Sequence, residues 1–150
     1  MKKLAAVLFI LFLYVGLAVA LEKARDGRFV AYNNGTVFDT KTNLMWAAHD
    51  NGSDINWADA KSYCENYRGG GYTDWRMPTQ DELEGLYDST IIGNNDYRLT
   101  TLITLTASCL WTSDTRRAAA AYFHFRYGSR HLSHQSNAAN GRVLPVRDIR

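Results

Sequence analysis

The stretch Gly69-Gly70-Gly71-Tyr72-Thr73-Asp74-Trp75-Arg76-Met77-Pro78-Thr79-Gln80-Asp81-Glu82-Leu83 decides the fold. The glycines permit a sharp change of chain direction. Thr79-x-x-Glu82 after Pro78 is a capping box, in which the Thr79 side chain and the Glu82 carboxylate satisfy each other's backbone amides at a helix start. Leu83, Leu86 and Tyr87 follow at the spacing of one helical face, and acidic Asp81 and Glu82 suit the positive end of the helix dipole. Asp74 and Arg76 flank Trp75 closely enough to pin the intervening loop by a hydrogen bond or an ion pair.

Toward the N-terminus, Trp57, Ala60, Cys64 and Tyr67 recur at helical spacing, with Asp54 or Asn56 as cap and the glycines as terminator. Before them, Phe29–Tyr32 and Thr36–Phe38 read as two strands around Asn33-Asn34-Gly35, because Asn-Gly supplies the positive φ values of tight hairpins. A polar turn at Asp39–Asn43 leads into Leu44-Met45-Trp46. Toward the C-terminus, Ile91–Thr106 has turn residues without a clear period and reads as a long surface loop. Strand-like runs follow at Leu110–Ser113, Ala119–Arg126 and Arg142–Val146. Phe123 and Phe125 alternate with Tyr122, His124 and Arg126, which predicts one apolar and one polar face. Two helices bracketed by strands predict an α+β domain, with the helices packed on short twisted antiparallel sheets.

The N-terminus carries Lys2 and Lys3, an apolar run from Leu4 to Leu17, and Ala18-Val19-Ala20. This is the pattern of a secretory signal cleaved after Ala20; an uncleaved membrane anchor is the alternative, since the run almost reaches spanning length. The expected organisation is a signal peptide at 1–20, a linker at 21–28 and one domain at 29–150. The product is then exported, to the periplasm or the cell surface. Without residues 1–20 the chain holds 15 basic and 15 acidic groups, but Trp111–Arg150 holds 7 basic and 2 acidic. Overall neutrality and export argue against a nucleic-acid partner, and membrane contact is expected only through an uncleaved signal segment. Cys64 and Cys109 in an oxidising compartment read as a disulfide, worth up to about 4 kcal/mol in the chain-entropy account; two unpaired buried thiols are the rival.

The order of motifs resembles a known family. Asp39–Trp46 is similar to a "D-x-x-T-x-L-M-W" opening, Trp57–Ala60 with Tyr63-Cys64 to "W-x-x-A-x-x-Y-C", and Gly70–Thr79 with Glu82-Leu83 to "G-G-Y-S-D-W-R-L-P-T-x-x-E-L". Leu110–Ser113 looks like its "Y-W-S-S" strand and Val143–Arg147 like its closing "V-R-P-V-R". The set resembles the domain found at the C-terminus of Legionella collagen-like adhesins and in other exported bacterial proteins. The resemblance implies a C-type-lectin-like fold, adhesion to sulfated polysaccharide and no established catalytic residues. No collagen-like G-X-Y tract precedes the domain here. Many members place a second cysteine in the final strand, where this chain has Leu144-Pro145.

Trp46, Trp57, Trp75 and Trp111 are expected as core anchors, with Asp74 and Arg76 as loop pins. The Glu-Pro-Asn-like and Trp-Asn-Asp-like calcium motifs of lectins with this fold do not occur, and Asn94-Asn95-Asp96 reads as turn chemistry. His131 and His134 with His124 are a weak zinc signal, and outward histidines on a polar strand are the favoured reading; no metal or cofactor is expected. Neither a G-x-S-x-G elbow nor an H-E-x-x-H helix is present, so an enzyme is the minority reading. The richest candidate surface is Tyr122–Asn140: Tyr122, His124, Arg126, Tyr127, Arg130, His131 and His134, with Arg116 and Arg117 just before it. Arginine suits bidentate contact with sulfate or carboxylate, tyrosine offers a flat amphipathic face, and the histidines add charge below about pH 6.5. The expected function is a non-catalytic binding or adhesion module for an anionic polysaccharide, or for a surface protein as an interaction or display subunit.

Overall fold

A computed structural model describes residues 19–149; the signal segment called from the sequence lies, up to residue 18, outside them. Residues 22–47 form a meander: β1 (Glu22–Asp26), β2 (Phe29–Tyr32), β3 (Thr36–Asp39) and β4 (Leu44–Ala47). The last strand, β9 (Val146–Asp148), returns to pair antiparallel with β4, giving a five-stranded sheet of order β1-β2-β3-β4-β9. Asp39, almost fully buried, closes the β3–β4 turn by accepting from the Lys41 amide at 3.0 Å, and lies 3.1 Å from the Arg28 guanidinium.

The second sheet has order β7-β6-β5-β8, from β5 (Cys109–Arg116), β6 (Ala119–His124), β7 (Ser129–His134) and β8 (Gly141–Arg142). Helices α1 (Trp57–Asn66) and α2 (Gln80–Leu86) lie between the sheets in sequence. Asn56 caps α1, its Oδ1 accepting from the Asp59 amide. Thr79 and Glu82 form the reciprocal capping box on α2. The molecule is thus α+β with two helices and two sheets, but not wholly antiparallel, because β5 and β8 run parallel.

The principal core lies where both sheets and α2 meet, and includes Val37, Trp46, Leu83, Leu86, Leu110, Phe123 and Phe125. A second cluster joins Ala60 and Cys64 of α1 to Met77, Trp111, Ala120 and Val143. Two sequence expectations are corrected here. Residues 21–28, read as a linker, contain β1, whose charged side chains suit an edge strand with little to bury. The segment 91–106, read as a surface loop, sends Tyr97, Leu99, Ile103 and Leu105 into the principal core.

Asp74 and Arg76 each tie the loop around Trp75 to other elements. Arg76 grips Glu82 with two hydrogen bonds of 2.9 and 2.7 Å and Asp148 with two of 3.1 and 3.2 Å. Its backbone bridges Val146 in both directions. Asp74 pairs with Arg147 at 2.6 Å, and that guanidinium lies 3.9 Å over the Tyr72 ring. Both side chains thus reach the final strand, Asp74 at Arg147 and Arg76 at Asp148.

Candidate functional site

Cross-strand partners project to one face of a sheet, and successive residues alternate. The register pairs Cys109 with His124, Trp111 with Tyr122, Tyr122 with His131 and His124 with Ser129. These side chains therefore share the face turned away from the principal core. Leu110, Phe123, Arg130 and Leu132 belong to the other face.

On the outward face the rings are in contact. Tyr122 stacks on His131 with centroids 5.2 Å apart, His124 stacks on Tyr127 at 4.6 Å, and Trp111 meets Tyr122 edge-on at 6.0 Å. Tyr127 is 70% exposed. The Arg126 amide donates to His124 Nδ1 at 3.3 Å, so the neutral imidazole carries its proton on Nε2 and donates it to Ser108 Oγ at 3.2 Å. Burial first, then the nearby His131 and Arg126, hold His124 below the ordinary histidine range. His124 therefore takes up its charge at lower pH than an ordinary histidine. Ser108 Oγ lies 3.7 Å from Cys109 Sγ. With the proton on Nε2, His124 cannot draw one from Ser108, so this chain of groups is oriented the wrong way to activate the thiol as a nucleophile.

The remaining candidates are scattered. Arg130 lies on the other face, where Asp81 at 2.6 Å and Glu84 of α2 hold it and keep its pKa raised. Arg116 pairs with Ala119 and His134 with Ala119 at the hairpin end, with Arg117 in the turn. That end lies five rungs from His124, about 17 Å along the strand. Arg126 is exposed beside Tyr127, over the Tyr97 ring at 5.8 Å. His131 and His134 fall on opposite faces, and among the described residues no group of three or more His, Cys, Asp or Glu converges on a metal position. Asn95 and Asp96 adopt left-handed φ values of 58° and 61° in a 3₁₀ turn.

Beside the ring array lies a cleft of about 220 Å³ lined by Cys109, Trp111, Tyr122, Ser133, Asn137 and Asn140. Sequence reasoning missed most of it. Its one local signal is the alternation of Cys109 and Trp111 opposite Leu110. Gly141 lies at its wall; a Cβ there would come within 2.7 Å of both Ile55 O and Trp111 Nε1. That small residue leaves room for the indole N–H to donate to Ile55 O at 2.8 Å. Trp46, Trp75 and Trp111 are buried, and half-buried Trp57 donates to Thr112 O at 2.8 Å.

The Cys64–Cys109 disulfide is corrected: both thiols are free. Cys64 is buried under α1 in the second cluster, whereas Cys109 starts β5 and opens on the cleft. Burial, foremost, with the charge of Glu65, pushes the Cys64 thiol far up. Iodoacetamide should therefore label Cys109 alone in the folded protein and both cysteines in denaturant, counted by intact mass. A native protein that takes no label until a reductant is added would restore the disulfide.

A family model described as the Lcl C-terminal domain matches residues 35–147. No curated protein matches the chain. Among the described residues, no helix is long and apolar enough to cross a membrane.

Proposed function

The chain belongs to the Lcl C-terminal domain family, an adhesin-associated family, and from that premise we propose that it is an exported, non-catalytic adhesion module of C-type-lectin-like fold, delivered by a signal peptide at residues 1–20, that binds a surface polysaccharide. The observation that carries the reading is the pair of stacks, Tyr122–His131 and His124–Tyr127, on a sheet face turned away from the core. Flat amphipathic rings at low conformational cost are what sugar and protein surfaces both use. For an anionic glycan, Arg126 supplies charge beside the stacks and Arg117, in the turn, supplies it at the hairpin end, while Arg116, paired with Ala119, projects from the opposite face there. The spacing of about 17 Å suits a polymer rather than a single sugar.

Heparin chromatography tests this. The domain should be retained at low ionic strength and released by salt. Arg126→Ala and the Arg116→Ala/Arg117→Ala pair should each elute earlier, whereas Arg130→Ala, whose charge is already committed to α2, should not. Passage of the wild type unretained at pH 7 and pH 5.5 sinks the anionic reading. A protein ligand is the second reading, favoured by Leu132, half exposed on the edge strand β7. It predicts that Leu132→Ser weakens attachment to a protein-coated surface and that heparin does not compete.

A further inference from the structure

We infer that the cleft between β5, β7 and the 137–141 turn is a subsite for one uncharged pyranose ring, set beside the charged ends of the face. The inference rests on the polysaccharide reading above and adds a neutral sugar to it. The cleft's volume of about 220 Å³ is below that of sites for drug-sized ligands, and is on the scale of a single ring. Its lining holds no formally charged side chain. A sulfate or carboxylate placed there would be desolvated without a counter-charge, at a cost of several kcal/mol. Arg142, the nearest arginine in sequence, is committed to Asp54 and Thr106.

The lining does match a neutral sugar. Tyr122, backed by the buried Trp111, gives an aromatic wall for the C–H face of the ring. Ser133 and Asn137 bond each other at 3.1 Å, and the Asn137 carbonyl oxygen takes the Ala139 amide, so these two fix the turn. Asn140 is different: its backbone amide serves Asp54, while its exposed side-chain amide has no hydrogen-bond partner among the described residues. That amide offers a donor and an acceptor to vicinal hydroxyls.

Cys109 reports on the cleft from inside it, and buried Cys64, unlabelled while the fold holds, shows that the protein has stayed folded. The iodoacetamide labelling rate of Cys109 is measured with the neutral methyl glycosides of glucose, galactose and mannose and their 2-acetamido forms, with a heparin fragment, and with choline. One of the glycosides should slow Cys109 about tenfold when present at ten times its Kd, and the heparin fragment should leave the rate unchanged. Asn140→Gly suits the left-handed φ of 58° at this position and should abolish the protection without moving the thermal transition. If no glycoside protects Cys109 while the wild type is still retained on heparin, the subsite is wrong and the adhesion reading stands. If neither protection nor retention is seen, both fall. Protection by choline instead of a glycoside, the outcome for an aromatic wall that takes a cation, overturns the inference, as does protection that survives Asn140→Gly.

Discussion

Trp111→Ala is expected to lower the stability of the domain by about 3–5 kcal/mol, the range for large-to-small changes of buried aromatics. The ring is 3% exposed and belongs to the cluster, with Cys64, Met77 and Val143, that joins α1 to the second sheet. It also holds the 54–56 turn through the bond to Ile55 O. Truncation leaves a cavity, an unpaired carbonyl and a Tyr122 without its edge contact. Trp111→Phe separates these effects: it keeps most of the ring and loses the hydrogen bond, for about 1 kcal/mol beyond the packing change. Urea titration of both variants checks the claim, and a Trp111→Ala protein within 1 kcal/mol of wild type, roughly the value of one hydrogen bond, contradicts it.

Arg76→Ala is expected to cost about 2 kcal/mol. Breaking a fully buried pair costs about 3–5 kcal/mol, but the Arg76 side chain is 34% exposed, so solvent screens part of it. Arg76→Lys recovers little, since an ammonium cannot grip Glu82 and Asp148 with a planar fork. The loss carries a pH signature. Burial pushes the Glu82 carboxyl up, but the Arg76 bonds and the Thr79 amide outweigh it and hold it below the usual range. A carboxyl depressed in the folded state stabilises above its unfolded pKa of about 4.3, and that contribution is lost as pH falls through the folded value. In Arg76→Ala the same carboxyl keeps its burial without its partner, so protonation relieves it. The stability gap between wild type and variant should narrow as pH drops below about 4.5. A gap that stays constant from neutral to acid pH assigns Arg76 to packing alone.

Local chemistry was legible. The capping box at Thr79 and Glu82, the Asn56 cap and the Asn33–Gly35 hairpin each depend on residues a few positions apart, and each stands where the pattern placed it. Edge elements were not. β1 and β7 bury little, so Glu-Lys-Ala-Arg-Asp and Ser-Arg-His-Leu-Ser-His show no apolar alternation and are strands only because a neighbour pairs with them. The 97–105 segment hides core residues in irregular backbone, where no period exists to be read. For the site, composition singled out one stretch but could not sort its side chains by face. Only the register puts Tyr122 with His131 and sends Arg130 to the opposite face, toward carboxylates 46 and 49 positions away. The cleft depends on side chains from Cys109 to Asn140 meeting across strands, which no local pattern records.

Residues 141–148 supply β8 to one sheet and β9 to the other, and Val146 also clasps Arg76. Each layer therefore waits for its final border until residues 141–148 have been made. A nascent chain emerging N-terminus first can form hairpins and helix turns early, yet has nothing with which to seal them together. Residues 141–148 thus act as a drawstring on both layers, and the body shuts only once they are in place.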